Sequence, residues 1–217
     1  MPGRAACAPG RRCPGMRLYN SQVSGNCYKV RLAAAQLGLQ LELVEVDVVD
    51  RSDRPQLLLG LNPSLRVPTL VLDDGRSLGE SGAILLYLAD GTALIPDDRF
   101  ERAQMLQWMF FEQYDLEPNI AVARFWLSVS GTPERWADQL PAKRDAGYRT
   151  LDAIERHLAD RAFLVGDRYT LADITLYGYT HVADEGGFDM GRYPAIAAWL
   201  ERVRSQPGHV TLDGAPA

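Results

Sequence analysis

Ser24 and Cys27 stand three residues apart at the start of a helical pattern, in the spacing that a redox protein fills with Cys-x-x-Cys. Here the first, nucleophilic position carries a hydroxyl and no sulfur. Ser24 is therefore a plain helix cap, or a hydroxyl that donates to an anion held at the helix end. Cys27 falls inside the helix, where a small packing residue is expected. Glu80-Ser81 opens another helical pattern, and a helix start is equally a place for a capping serine and a ready anion site. Val67-Pro68 precedes an apolar run; only ~5–6% of X-Pro bonds are cis, so proline type alone expects trans there. Thr170-Leu-Ala-Asp173 is a Thr-x-x-Asp capping box, flanked by Tyr169 and Ile174 at hydrophobic-staple positions; capping explains its spacing fully, and no catalytic role is assigned to it.

Other chemistries recede. The 3 histidines are scattered and the 3 cysteines, Cys7, Cys13 and Cys27, offer no zinc spacing, so no metal is expected. They are also too few for a disulfide framework, which points to a reducing compartment and hence the cytoplasm.

The elements that must position these groups follow from the pattern. A short apolar run, MRLY, leads into the polar NSQVSGN and then a helix in which Val30, Ala33, Ala34 and Leu37 share a face, ending at Gly38. LELVEVDVV reads as a second strand, giving β-α-β, the unit of a parallel crossover. After a loop segment, NPSLRVPTLVLDDGRSL reads as a hairpin with a type I′ turn at Asp74-Gly75. A third helix carries Ser81, Ile84, Leu85 and Leu88 on one face. Beyond GTALIPDD the pattern is helical throughout. One helix runs from about Phe100 through QWMFFEQY, which is apolar on most faces and is expected to be buried. A second spans about Pro133 to Ala159, a third opens at the Thr170 box, and a fourth starts at Pro194 with Ile196, Trp199, Leu200 and Val203 aligned. Trp108, Phe110, Phe111, Tyr114, Phe125 and Trp126 are core or subunit interface by default, with some free to line an apolar pocket.

With 217 residues, 47% hydrophobic and 24% charged, the chain has the make-up of an ordinary globular protein of one large or two small domains. No stretch approaches the ~20 apolar residues of a membrane helix, and a net charge of -5 argues against nucleic acid as partner. The first fifteen residues hold Arg4, Arg11 and Arg12 and no acid, without the apolar run of an export signal; they read as a flexible extension, with Met16 a possible alternative start.

The motifs SGNCYKVRLAAAQLG, NPSLRVPTL, GESGAILLYLAD and LVGDRYTLADITLY, in that order, resemble the glutathione S-transferase superfamily over residues 16 to about 206. The resemblance implies an α+β thioredoxin-like N-terminal domain (16–92) that holds glutathione as co-substrate. An all-α C-terminal domain (99–217) would supply most of the pocket for a hydrophobic electrophile. It further implies a homodimer and a role in detoxification. Ser24 matches the family's serine or cysteine position that meets the glutathione sulfur, with Tyr19, near the family's tyrosine donor, as runner-up. A cis Pro68 would turn the Val67 N–H and C=O toward the cysteinyl backbone of glutathione, as a strand edge pairs with a peptide. Ser81 would receive the γ-glutamyl carboxylate and Glu80 oppose its ammonium. Asn26 and Arg66 either face the ligand, Arg66 meeting the glycyl carboxylate, or are solvated loop residues. The activity implied is a glutathione transferase that aims the thiolate at an electrophilic small molecule. The alternatives are a disulfide or dehalogenating oxidoreductase working through Cys27, and a non-catalytic glutathione-binding module.

Overall fold

Four short strands appear because β-branched and apolar residues alternate or run between turn signals, and the computed structural model assembles them into one sheet of order β2-β1-β3-β4. The structure describes residues 15–214, so the expected N-terminal extension, with Cys7 and Cys13, lies outside them save for Gly15. The chain divides into two compact units: one runs to Ala93 and takes back Gln206 onward, the other runs from Leu94 to Ser205.

In the first unit β1 (Arg17–Asn20), α1 (Gly25–Gln36) and β2 (Glu42–Glu45) form the expected crossover, with β1 and β2 parallel and Leu18 opposite Leu43. β3 (Thr69–Val71) runs antiparallel to β1, and β4 (Ser77–Leu78) antiparallel to β3. Between β2 and β3 lies a five-residue helix, α2 (Arg54–Leu58), where a loop was expected. Pro55 stands in its first turn and Gly60 just past its C-cap, the ordinary punctuation of a helix too short to show a period. The hairpin turn also differs from expectation. A type I′ turn needs positive φ at both central residues, yet only Gly75 of the pair has it, at 83°. Gly75 N–H donates to Leu72 O at 2.9 Å and Leu72 N–H to Arg76 O at 2.8 Å, which closes a three-residue loop, Asp73-Asp74-Gly75, with the left-handed residue last.

Helix α3 (Ser81–Leu88) packs beside α1 on one face of the sheet. Leu18, Val30, Leu70, Leu72 and Ile84 form the buried cluster between them, with Met16, Leu41, Leu78 and Leu88 around it. Each such side chain contributes ~1.5–3 kcal/mol on full burial, enough to hold the helix starts in register with the sheet.

The second unit is helical, as expected. α4 (Arg99–Phe111) continues without a break through a wide, π-helical stretch, Glu112–Ala121, then α5 (Val122–Arg124) and a second wide turn, Phe125–Val129. Its buried stripe is Met105, Met109, Glu112, Leu116 and Ile120. The expectation that QWMFFEQY is buried on most faces fails: Phe110 is 70% and Tyr114 82% exposed. The helix expected from Pro133 is interrupted, a single 3-10 turn (Pro133–Trp136) preceding α6 (Leu140–Leu158). α7 (Leu171–Thr180) is buried along its whole length, and α8 (Pro194–Arg204) buries Ile196, Trp199 and Val203. Among the described residues no helix is long and apolar enough to cross a membrane.

The Thr170 box forms in full. Thr170 Oγ1 accepts from Ala172 N–H at 3.3 Å, and Asp173 Oδ2 accepts from Thr170 N–H at 2.9 Å. Asp173 Oδ1 also accepts from Leu164 N–H at 3.1 Å and Trp199 Nε1–H at 2.9 Å, tying α7 to α8. Burial pushes its carboxyl up to about 6, against the pull of those hydrogen bonds.

Candidate functional site

Ser24 caps α1. Its backbone is extended, with φ −78° and ψ 121°, and its Oγ accepts from Cys27 N–H at 3.3 Å. Ser24 N–H in turn donates to Ser21 O at 3.1 Å. A serine oxygen that accepts from the helix still has a proton to give, so capping and donation to a ligand coexist in one side chain. The first turn of α1 carries no acid, which leaves the positive end of the helix uncompensated by local side chains.

Cys27 is fully buried. Its Sγ accepts from Ser21 N–H at 3.3 Å, and burial pushes the thiol up to about 11 although hydrogen bonds from Ser24 and Ser21 oppose the shift. A thiol so placed is protonated at neutral pH and sealed from solvent, the opposite of a reactive cysteine. Tyr19 lies on the other face of β1 from buried Leu18 and Asn20, where its side chain is hydrogen-bonded with Arg17.

The helix starts of α1 and α3 meet. Asn26 Oδ1 accepts from Lys29 Nζ at 2.7 Å and from Ser81 Oγ at 3.4 Å, so Asn26 is a strut between the two helices. Lys29 is wholly buried. Ser81 is itself buried and is the first helical residue; the cap position belongs to Glu80, which makes no side-chain cap bond. Glu80 adopts φ 62° and ψ 118°, a conformation that costs a non-glycine residue ~1–3 kcal/mol and that clusters at functional sites.

The segment before β3 is fastened by Asn62. Its Nδ2 donates to Arg66 O at 3.1 Å and Thr69 Oγ1 at 2.9 Å, bracketing Val67 and Pro68, and the Val67-Pro68 bond is cis. Arg54, also buried, donates to Leu65 O at 3.4 Å. Gly79 closes the circuit: a methyl group there would stand 2.9 Å from Asn62 Nδ2, so only glycine lets the approach to Glu80 pass against the Val67 segment. Arg66 and Glu80 are exposed at the rim. In the first unit Asn26 and Ser81 thus join two helix starts, and Asn62 and Gly79 bring the approach to Glu80 against the segment that holds the cis Val67-Pro68 bond.

The glutathione S-transferase N-terminal domain model matches residues 18–93, and the C-terminal domain model of the same family matches residues 119–207. The chain belongs to the glutathione S-transferase family. A crystal structure of a possible glutathione S-transferase from Rhodopseudomonas palustris is 48% identical with a TM-score of 0.89, over 93% of this chain and 99% of that one. Ure2p in complex with glutathione is 25% identical with a TM-score of 0.79, over 91% of this chain and 92% of that one. The disulfide-bond oxidoreductase YfcG of Escherichia coli is 29% identical over 84% of this chain and 87% of that protein. Both the thioredoxin-like sheet unit and the helical unit are those of the family.

Glutathione, the family's co-substrate, brings a thiol, two carboxylates, an ammonium and two peptide groups. The residues of this site fit that inventory: two helix starts and Arg66 suit anions, Glu80 suits the ammonium, and the backbone at Val67 suits a peptide. Inspection of the sequence did not reveal the supports, Lys29, Arg54, Asn62 and Gly79. Lys29 and Arg54 are buried basic residues, and only the fold shows which polar atoms they meet.

Proposed function

We propose that the protein is a glutathione transferase, in which the Ser24 hydroxyl donates to the glutathione sulfur and holds it as thiolate for attack on a hydrophobic, electrophilic small molecule. The observation that carries this reading is the state of Ser24 and Cys27 together. Ser24 accepts from Cys27 N–H and directs its own proton at the Cys27 sulfur, whereas that neighbouring thiol is buried and pushed up to about 11. A thiolate is a far better acceptor than that neutral thiol, so a bound glutathione sulfur outcompetes Cys27 for the Ser24 proton. In this reading the Ser81 N–H and hydroxyl receive the γ-glutamyl carboxylate and Glu80 its ammonium. The Val67 backbone pairs with the cysteinyl peptide, and Arg66 faces the glycyl carboxylate. Asn26 acts by holding the α1 and α3 starts together.

A thiol of pKa ~8.5 is only a few per cent ionised at neutral pH, and lowering it by ~2 units takes about 2.7 kcal/mol, within reach of one hydrogen bond and one helix end. The rest of the rate comes from holding the two reactants together. A disulfide oxidoreductase remains the second reading because of the YfcG likeness, but burial of Cys27 opposes its use as the exchanging thiol. The exposed Phe110 and Tyr114 give the expected homodimer an apolar surface to cover.

The deciding experiment is retention on immobilised glutathione together with conjugation of glutathione to chlorodinitrobenzene. Conjugation above the uncatalysed rate is expected; retention without conjugation of any soft electrophile points to a binding module, and a mixed disulfide on Cys27 after treatment with glutathione disulfide points to the redox reading.

A further inference from the structure

The loop that carries Ser24 is held by the buried guanidinium of Arg31, a residue of α1. Arg31 Nη1 donates to Asn20 Oδ1 at 2.6 Å and to Ser21 O at 3.3 Å; Nη2 donates to Gln22 O at 3.0 Å and Leu212 O at 2.7 Å. Ser21 O is the same carbonyl that receives Ser24 N–H at 3.1 Å, so one acceptor joins the arginine to the serine. From the sheet side Glu45 completes the frame: Oε2 accepts from Asn20 Nδ2 at 2.7 Å and Oε1 from Gln22 N–H. Gln22 Nε2 donates to Leu212 O at 2.6 Å, and Tyr28 Oη donates to Val210 O at 2.7 Å. The returning C-terminal residues are thus part of the same frame.

Resting on the Ser24 reading, we infer that Arg31, with Glu45 and the carbonyl of Leu212, is a positioning device for catalysis: it fixes the 20–22 loop and through Ser21 O the place of the Ser24 hydroxyl. The chemistry supports this over plain packing. A planar fork of five donors has found four acceptors on the last residue of β1, the two loop residues after it and a distant chain segment, a pattern that a single ammonium cannot reproduce. Asn20, which lies fully buried, links cation and carboxylate, so neither charge is isolated. Hydrogen bonding to a thiolate depends steeply on donor placement, and a loop freed by even part of an ångström spreads the hydroxyl over unproductive positions.

The test compares wild type, Arg31→Met, Arg31→Lys, Glu45→Gln and Ser24→Ala by thiolate absorbance titration of the glutathione complex, glutathione affinity, and the pH profile of conjugation to chlorodinitrobenzene. Arg31→Met is expected to raise the bound thiol's pKa by about half to one unit and slow conjugation about 3- to 10-fold at neutral pH, with affinity changed less than about threefold. Arg31→Lys should recover part of the shift, and Glu45→Gln should show a smaller one of the same sign. A merely structural arginine would lower the active fraction without moving the pKa. If Ser24→Ala moves the titration and folded Arg31→Met does not, the positioning role is overturned while the serine reading stands. If neither moves it, the serine reading has failed and this one with it. Should Arg31→Met not fold, an unmoved titration in folded Glu45→Gln overturns the proposal by itself.

Discussion

In the proposed reading Ser24, Glu80 and Ser81 each meet one charge or one proton of glutathione, and that makes their removal measurable. Glu80→Ala and Ser81→Ala are each expected to weaken glutathione binding by ~1–3 kcal/mol, because each leaves a charged ligand group without its partner. Isothermal titration with both affinities unchanged would move the carboxylate and ammonium elsewhere. Cys27→Ala should leave conjugation within about twofold of wild type, since the thiol is buried, protonated and hydrogen-bonded internally; abolished conjugation in a folded variant contradicts that. The sequence made Ser24, Val67, Glu80 and Ser81 visible through their places in local motifs. It could not show that Asn26 is spent as a strut, nor that Ser81 sits one residue inside the helix while strained Glu80 takes the cap. Those assignments depend on which polar atoms come within 3.5 Å across the fold, and no spacing rule contains that information.

At the scale of elements, the long-period patterns were legible and the short or non-local ones were not. α1, the parallel strand pair, the hairpin, α3 and the Thr170 box follow from periodicity and punctuation. α2 is too short to display a period, the hairpin turn was misread because Asp74-Gly75 fits two turn types, and α4 was misread because exposed aromatic residues look like core in a one-dimensional pattern. The contact of Gly79 with Asn62 couples two of these elements. Gly79→Ala is expected to lower glutathione affinity roughly 2- to 10-fold by displacing Asn62 from a bond worth ~0.5–1.5 kcal/mol. In an Asn62→Ala background the same substitution should cost little more, because the two act through one contact. Additive losses in the double variant would show that they act separately.

Over the whole molecule, the residues proposed to meet glutathione all belong to one of the two units. The candidate site lies in the first, and the buried Asp173 that organises the second is not part of it. The change from a sheet unit to a helical one was legible from the sequence, since strand signals stop after GTALIPDD; the return of residues 206 onward to the first unit was not, because nothing in GHVTLDG marks it as a partner of α1. Asp173 gives the molecule a stated pH response. Its folded value of about 6 lies above the ordinary carboxyl value of 3.8, so the native state binds the proton more tightly than the unfolded chain. The stability it contributes is complete below pH ~4 and is lost as pH rises through ~6, a swing on the order of 2–3 kcal/mol. Chemical denaturation of wild type and Asp173→Asn from pH 4 to 7 should therefore show the wild type losing ground to the variant as pH rises, with glutathione affinity of the folded variant intact. A difference independent of pH contradicts this.

The central claim is that a serine hydroxyl, capping α1, sets the ionisation of glutathione. Thiolate absorbance of the glutathione complex, titrated for wild type, Ser24→Ala and Tyr19→Phe, tests it most directly. Losing a hydrogen bond to a charged group is worth ~1.5–3 kcal/mol, so Ser24→Ala is expected to raise the bound thiol's pKa by roughly one to two units, with conjugation slowed about ten- to a hundredfold at neutral pH. Glutathione affinity should change little and Tyr19→Phe should leave the curve in place. A curve that moves in Tyr19→Phe and stays put in Ser24→Ala contradicts the account and hands the sulfur to the tyrosine.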